Sequence, residues 1–131
     1  MIRPPKKSIF NIHDPKGIKR LFQLRVGLSP LREHKFRKNF KDTPTDKCIR
    51  KMDAETTEHF LLHCENFIEA RRTMLEVINP ILEYNNLHLP NDKTRAIFLI
   101  YGHETLNNDV NVSVLNATLK YLNDSLRFEP T

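Results

Sequence analysis

The chain has 131 residues, with 21 Lys and Arg against 16 Asp and Glu, two Cys and no Trp. Its length suits one domain with a modest core. No run of 18 apolar residues is present, so neither a membrane span nor a membrane partner is expected. The balance of +5 is uneven: residues 1–51 carry 15 of the 21 bases and four acids, and residues 52–131 carry six bases and 12 acids. A basic half beside an acidic half predicts a surface that meets a polyanion on one side only.

The basic start, residues 1–7, is not followed by an apolar signal core. Asp14 and Pro15 open the first predicted helix, since Asp can cap open amides and Pro is tolerated at the first helical position. Ile18, Leu21, Phe22 and Val26 form its apolar stripe, Lys16, Lys19, Arg20 and Arg25 its charged surface, and Gly27 its end. Ser29 and Pro30 repeat the start signal for a helix reaching about Phe40. On that wheel His34, Lys35, Arg37, Lys38 and Lys41 share an outward arc, while Phe36 and Phe40 turn to the core.

A polar loop covers residues 41–47. A short helix is expected over residues 56–63, then a longer one from about Glu65 with Phe67, Ala70, Met74, Val77, Ile78 and Ile81 inward. Pro80 should kink or interrupt it. Residues 85–91 read as a loop. Asp92 is expected to cap a helix ending at Gly102, although the apolar run 96–101 fits a buried strand equally well. The last helix runs from about Asn108 to Leu126, with Leu115, Leu119, Leu122 and Leu126 on one face. The expected fold is all-α: about five helices in a single domain over residues 1–131, basic over 1–51 and acidic over 52–131.

Cys48, His59 and Cys64 have the spacing C-x10-H-x4-C, three corners of a zinc knuckle. Tetrahedral zinc normally takes four Cys or His ligands. Where a second Cys would complete a C-x-C pair, Arg50 places a cation. His63, four residues after His59, is the alternative fourth ligand. The segment 48–64 thus reads as a degenerate loop–helix knuckle; zinc is the one cofactor it could hold, and a metal-free state is expected. Two cysteines cannot build a secreted disulfide framework, and their company with His59 and His63 suggests a reduced, intracellular setting.

Catalytic patterns are missing. Gly17, Gly27 and Gly102 are too far apart for a phosphate loop, and no Asp pair is placed to hold two magnesium ions. No general base stands beside the three-cornered site. No enzyme is expected.

The strings LRVGLSPLREHKFRKNF (residues 24–40) and ETTEHFLLHC (residues 55–64) resemble the carboxy-terminal tail of non-LTR (LINE-type) retrotransposon reverse transcriptases. Agreement continues at Asn66 and Phe67, Arg71 and Arg72, residues 99–102, Tyr121 and Leu122, and Arg127 and Phe128. The resemblance implies a segment that follows the polymerase and carries a C-x-C-x8-H-x4-C knuckle helping to hold RNA or DNA. Cys48, His59 and Cys64 match that pattern, whereas Arg50 replaces its second Cys and Lys51 the Gly that commonly follows. The polymerase aspartates and the endonuclease of such proteins have no counterpart in this sequence. Three expectations follow. The first is a nucleic-acid-binding module meeting RNA or DNA through Lys19, Arg20, Lys35, Arg37, Lys38 and Lys41. The second is a transposon relic without activity, and the third a small helical interaction domain that can self-associate.

Overall fold

A computed structural model describes residues 14–38, 45, 47 and 54–128. Asp14 accepts a hydrogen bond from the Gly17 amide at 3.0 Å, and Pro15 takes the first position of α1, Pro15–Val26. Gly27 closes that helix at φ 73°, a left-handed conformation in which a side chain would be strained. The buried stripe is Gly17, Leu21 and Leu24. Phe22 and Val26, expected inside, stand 49% and 61% exposed. Gly17 explains the rotation. A Cβ there would lie 2.9 Å from Leu119 Cδ1, so the missing side chain lets α1 approach the last helix by this face.

The second helix, α2, spans Arg32–Arg37 and is shorter than the sequence suggests. Its inward residue is His34, which overturns its expected outward position, while Phe36 is exposed rather than in the core. Phe40 and Lys41 lie outside the described residues. After an isolated antiparallel bridge between Lys47 and Ala54, the chain turns helical at Thr57 and continues as a π-helix over His59–His63. The Cys64 amide closes that wide turn on the His59 carbonyl at 2.8 Å.

A 3-10 turn, Glu65–Phe67, leads into α3, Ile68–Tyr84. Pro80 does not interrupt α3. Pro80 and Glu76, whose carbonyl its missing amide would have met, are both exposed, so water can serve that carbonyl. The buried side chains are Arg71, Met74 and Ile78, with Val77 turned outward.

Asn91, not Asp92, caps α4, Asp92–Tyr101: its side chain accepts from the Thr94 amide, and Thr94 returns the bond in a capping box. The run 96–101 is therefore helix, and the strand alternative is settled. Gly102 follows at φ 79°, and a Cβ there would meet Asn111 Oδ1 at 2.5 Å.

Helix α5, Asn108–Ser125, is capped by Asn107 and packs against α3, α4 and α1. Its buried residues, from Asn111 through Val114, Leu115, Thr118 and Tyr121 to Leu122, cover more than half its circumference, as befits a central helix. That breadth accounts for the alternation of Val110, Val112 and Val114, which blurs the helical period in the sequence. Leu126, expected on the apolar face, is the left-handed cap and 67% exposed. The fold is a small all-α domain, and no strand is present among the described residues. No described helix is long and apolar enough to cross a membrane.

Candidate nucleic-acid interface

The cations singled out by the sequence depend on how α1 and α2 are fixed. Leu31, at the start of α2, offers no side-chain cap. Glu55 supplies one from 23 residues away: its Oε1 accepts from the Arg32 amide at 2.6 Å. A carboxylate is favourable there because the first turn leaves amides unfilled and carries partial positive charge. Glu55 is only 1% exposed, and Arg127 neutralises it in a fork, Nε to Oε2 at 2.8 Å and Nη2 to Oε1 at 2.5 Å. Arg127 Nη2 also donates to the Pro30 carbonyl at 2.9 Å. One largely buried ion pair thus joins the turn before α2, its first amide and the segment after α5.

His34 secures the other side of α2. Its Nδ1 accepts from the Ser29 amide at 3.4 Å and lies 2.7 Å from Ser29 Oγ, which puts the ring proton on Nε2, facing Thr57 Oγ1 at 3.2 Å. Burial lowers the pKa of this imidazole below its usual 6.5; Glu33 opposes the shift and Arg37 adds to it. His34 is therefore a neutral structural side chain.

Of the expected phosphate contacts, Lys19, Arg37 and Lys38 are exposed and Lys35 is half-buried. Arg37 is shared with Glu33 at 3.5 Å, a loose i,i+4 pair on the surface that is worth little. Arg20 is half-buried and donates to Asn123 Oδ1 at 2.5 Å, tying α1 to the last turn of α5. Lys41 lies outside the described residues. Arg25 is also a tether: Nε and Nη2 both donate to the Ile100 carbonyl, at 2.9 and 2.6 Å, and the guanidinium sits 4.3 Å from the Tyr101 ring centroid.

Of the knuckle residues, His59 and Cys64 stay on one coil and His63 turns away. Cys64 is 1% exposed, and the π-turn carries His59 and Cys64 at its two ends. His59 Nε2 is buried with no hydrogen-bond partner among the described residues, an orphan that a metal or a water would satisfy. His63 points elsewhere: its Nε2 meets Asp92 Oδ2 at 2.6 Å in an exposed pair. Cys48 and Arg50 lie outside the described residues. Among the described residues no three His, Cys, Asp or Glu side chains converge to hold a metal.

Glu55, Arg127 and Arg71 stand among the positions of the resemblance, but the sequence assigned none of them the partners it has here. The burial of Arg71 was legible: on the wheel of α3 it falls between Ile78 and Leu82. It is 8% exposed and draws the π-turn together, donating to the carbonyls of Leu61 at 3.0 Å, Phe60 at 3.3 Å and Cys64 at 2.8 Å and to the Tyr121 hydroxyl at 3.3 Å. The Tyr121 hydroxyl in turn donates to the Phe60 carbonyl, and burial raises its pKa well above the usual 10. Rings of Phe67, Tyr121 and Phe128 surround Phe60 at centroid distances of 5.3, 5.1 and 6.1 Å. No signal in the sequence pairs Glu55 with Arg127.

No family model, curated protein or solved structure matches this chain.

Proposed function

We propose that the chain is a nucleic-acid-binding module that holds RNA or DNA through phosphates and performs no chemistry of its own. The observation that carries it is the exposure of Lys19, Arg37 and Lys38 on α1 and α2, in the half of the chain with 15 bases to four acids. Lys35 extends the same set, and Lys41 follows it in sequence. Phosphate contact needs positive charge held at the surface, which the Glu55–Arg127 and His34 anchors provide. The likeness of residues 24–40 and 55–64 to retrotransposon reverse transcriptase tails agrees with this role. Little base preference is expected, because contacts to phosphates carry no sequence information of their own.

The test is a salt titration of binding to a labelled single-stranded RNA and to the same sequence as DNA. Three to five phosphate contacts give a slope of log K on log salt of roughly −2 to −4. Affinity that does not change between about 50 and 200 mM salt sinks the proposal.

Exposed apolar side chains favour a second reading, a helical protein-interaction domain. Phe22, Val26, Leu28 and Phe36 are each between 46% and 61% exposed, all on or beside the same two helices. Micromolar self-association that Phe22→Ser and Phe36→Ser weaken, without change in nucleic-acid affinity, would favour it.

A further inference from the structure

A groove of about 420 Å³ runs between α3 and α4, on residues that the nucleic-acid proposal does not use. Its walls are apolar: Leu75, Ile78 and Leu82 from α3, Leu87 and Leu89 from the connecting loop, and Phe98 from α4. Its charged lining is of one sign. Arg71 and Arg95 line it beside the imidazoles of His63 and His88, and no Asp or Glu does among the described residues; Asp92 lies next to it through its bond to His63.

Arg71 gives the groove direction. Its Nε and Nη2 are committed to carbonyls and to Tyr121, whereas Nη1 makes no hydrogen bond to any described residue and is not sealed from solvent. No carboxylate pairs with this guanidinium among the described residues, although it is more than nine-tenths buried. Buried cations are ordinarily matched by an anion. Volumes near this size are typical of small-molecule sites, in which apolar walls supply affinity and a few polar groups fix orientation.

We propose that this groove binds a medium-chain aliphatic monocarboxylate, with its head on Arg71 Nη1 and its tail along Leu75, Ile78, Leu82 and Leu87. From residue 71 to residue 82, α3 advances about 16 Å, the length of an extended chain of about a dozen carbons. Arg71 has the planar donor geometry that suits a carboxylate. The two guanidiniums, with no carboxylate lining the groove among the described residues, select an anion over a neutral lipid, and the walls select an aliphatic tail over a small hydrophilic acid.

The experiment is calorimetric titration of the full chain with dodecanoate, decanoate and dodecanol. Dodecanoate should bind one to one, decanoate about 16-fold more weakly at about fourfold per methylene, and dodecanol about 10- to 100-fold more weakly for want of a charged head. Leu82→Trp, which fills the groove and leaves every bond of Arg71 in place, should abolish binding with the melting transition retained. Arg71→Lys should weaken dodecanoate but not dodecanol; if that variant does not fold, Leu82→Trp still decides. The proposal is overturned by dodecanoate binding weaker than about 1 mM, by equal affinity for dodecanol, or by binding that Leu82→Trp leaves unchanged. Self-association that Leu82→Trp disrupts, with no uptake of dodecanoate, would assign the groove to a second copy of the chain and equally overturn it.

Discussion

The two halves of the chain are held in place differently. In α3–α5 the buried polar side chains reach for main-chain carbonyls: Arg71 to Phe60, Leu61 and Cys64, Thr118 to Leu99, Asn111 to His103 and Leu106. These bonds lock α5 to α4 and to the loop between them, and α3 to the π-turn, without spending a surface charge. In α1 and α2 the burial is thinner, and the helices hang from a few long-range anchors: Arg25 on Ile100, Arg20 on Asn123, and α2 on Glu55. The acidic half is therefore the support and the basic half the presented surface, with exposed cations beside Phe22 and Phe36. The proposed binding face needs exposure, and exposure is bearable here because its anchors reach into the more deeply buried half.

The largest effect expected from breaking this arrangement is at the junction. Glu55→Ala leaves Arg127 without its partner and the first turn of α2 uncapped, at a cost of about 3–5 kcal/mol in urea unfolding. Arg127→Ala should cost a similar amount. The double variant should cost clearly less than the sum, because both remove one interaction; additive costs would show that the two side chains act separately.

Next in size is a change in binding with little change in stability. Replacing Lys19, Arg37 and Lys38 together by Gln should reduce the salt slope for duplex DNA by about 2.7 units, near 0.9 per contact. Stability should move by no more than about 0.5 kcal/mol per site, since all three are exposed. A large loss of stability would place these cations in the support and not on the surface.

The smallest effect is a pH dependence. An unfolded histidine takes up its proton near pH 6.5, whereas burial holds folded His34 lower. The unfolded chain therefore binds the proton first, and stability falls as pH drops below about 6.5, levelling once the folded ring is also protonated. Above that range neither state is protonated and the difference vanishes. His34→Gln should remove this portion of the acid sensitivity; equal pH profiles for wild type and variant would contradict the buried, neutral assignment.

Helix existence was legible in the sequence, and helix facing less so. Capping residues such as Asp14 and glycines such as Gly27 and Gly102 act locally, so their meaning survives without tertiary context. The face of α1 was misjudged because Gly17 adds nothing to an apolar count, yet permits the closest approach to Leu119. His34 was misjudged because a polar ring with partners on Ser29 and Thr57 buries as readily as a Phe, and the second partner is 23 residues away. The asymmetry of charge was legible, and exposure of Lys19, Arg37 and Lys38 agrees with it; that Arg20 bonds Asn123 was not, since 103 residues separate them. The knuckle was read from spacing. Of its residues, the π-turn keeps His59 and Cys64 on one short coil, whereas His63 goes to Asp92.

The Glu55–Arg127 pair has a consequence for how the domain breathes. Arg127 reaches Pro30 across 97 residues of chain, and the Arg32 amide rests on the same carboxylate. The Arg32 amide can exchange hydrogen with solvent only when the carboxylate moves, and it moves only when the segment after α5 releases Arg127. Fraying at the carboxyl end and opening of α2 therefore form one cooperative unit. In hydrogen exchange, residues 32 and 127 should report the same opening free energy although 95 residues of sequence separate them.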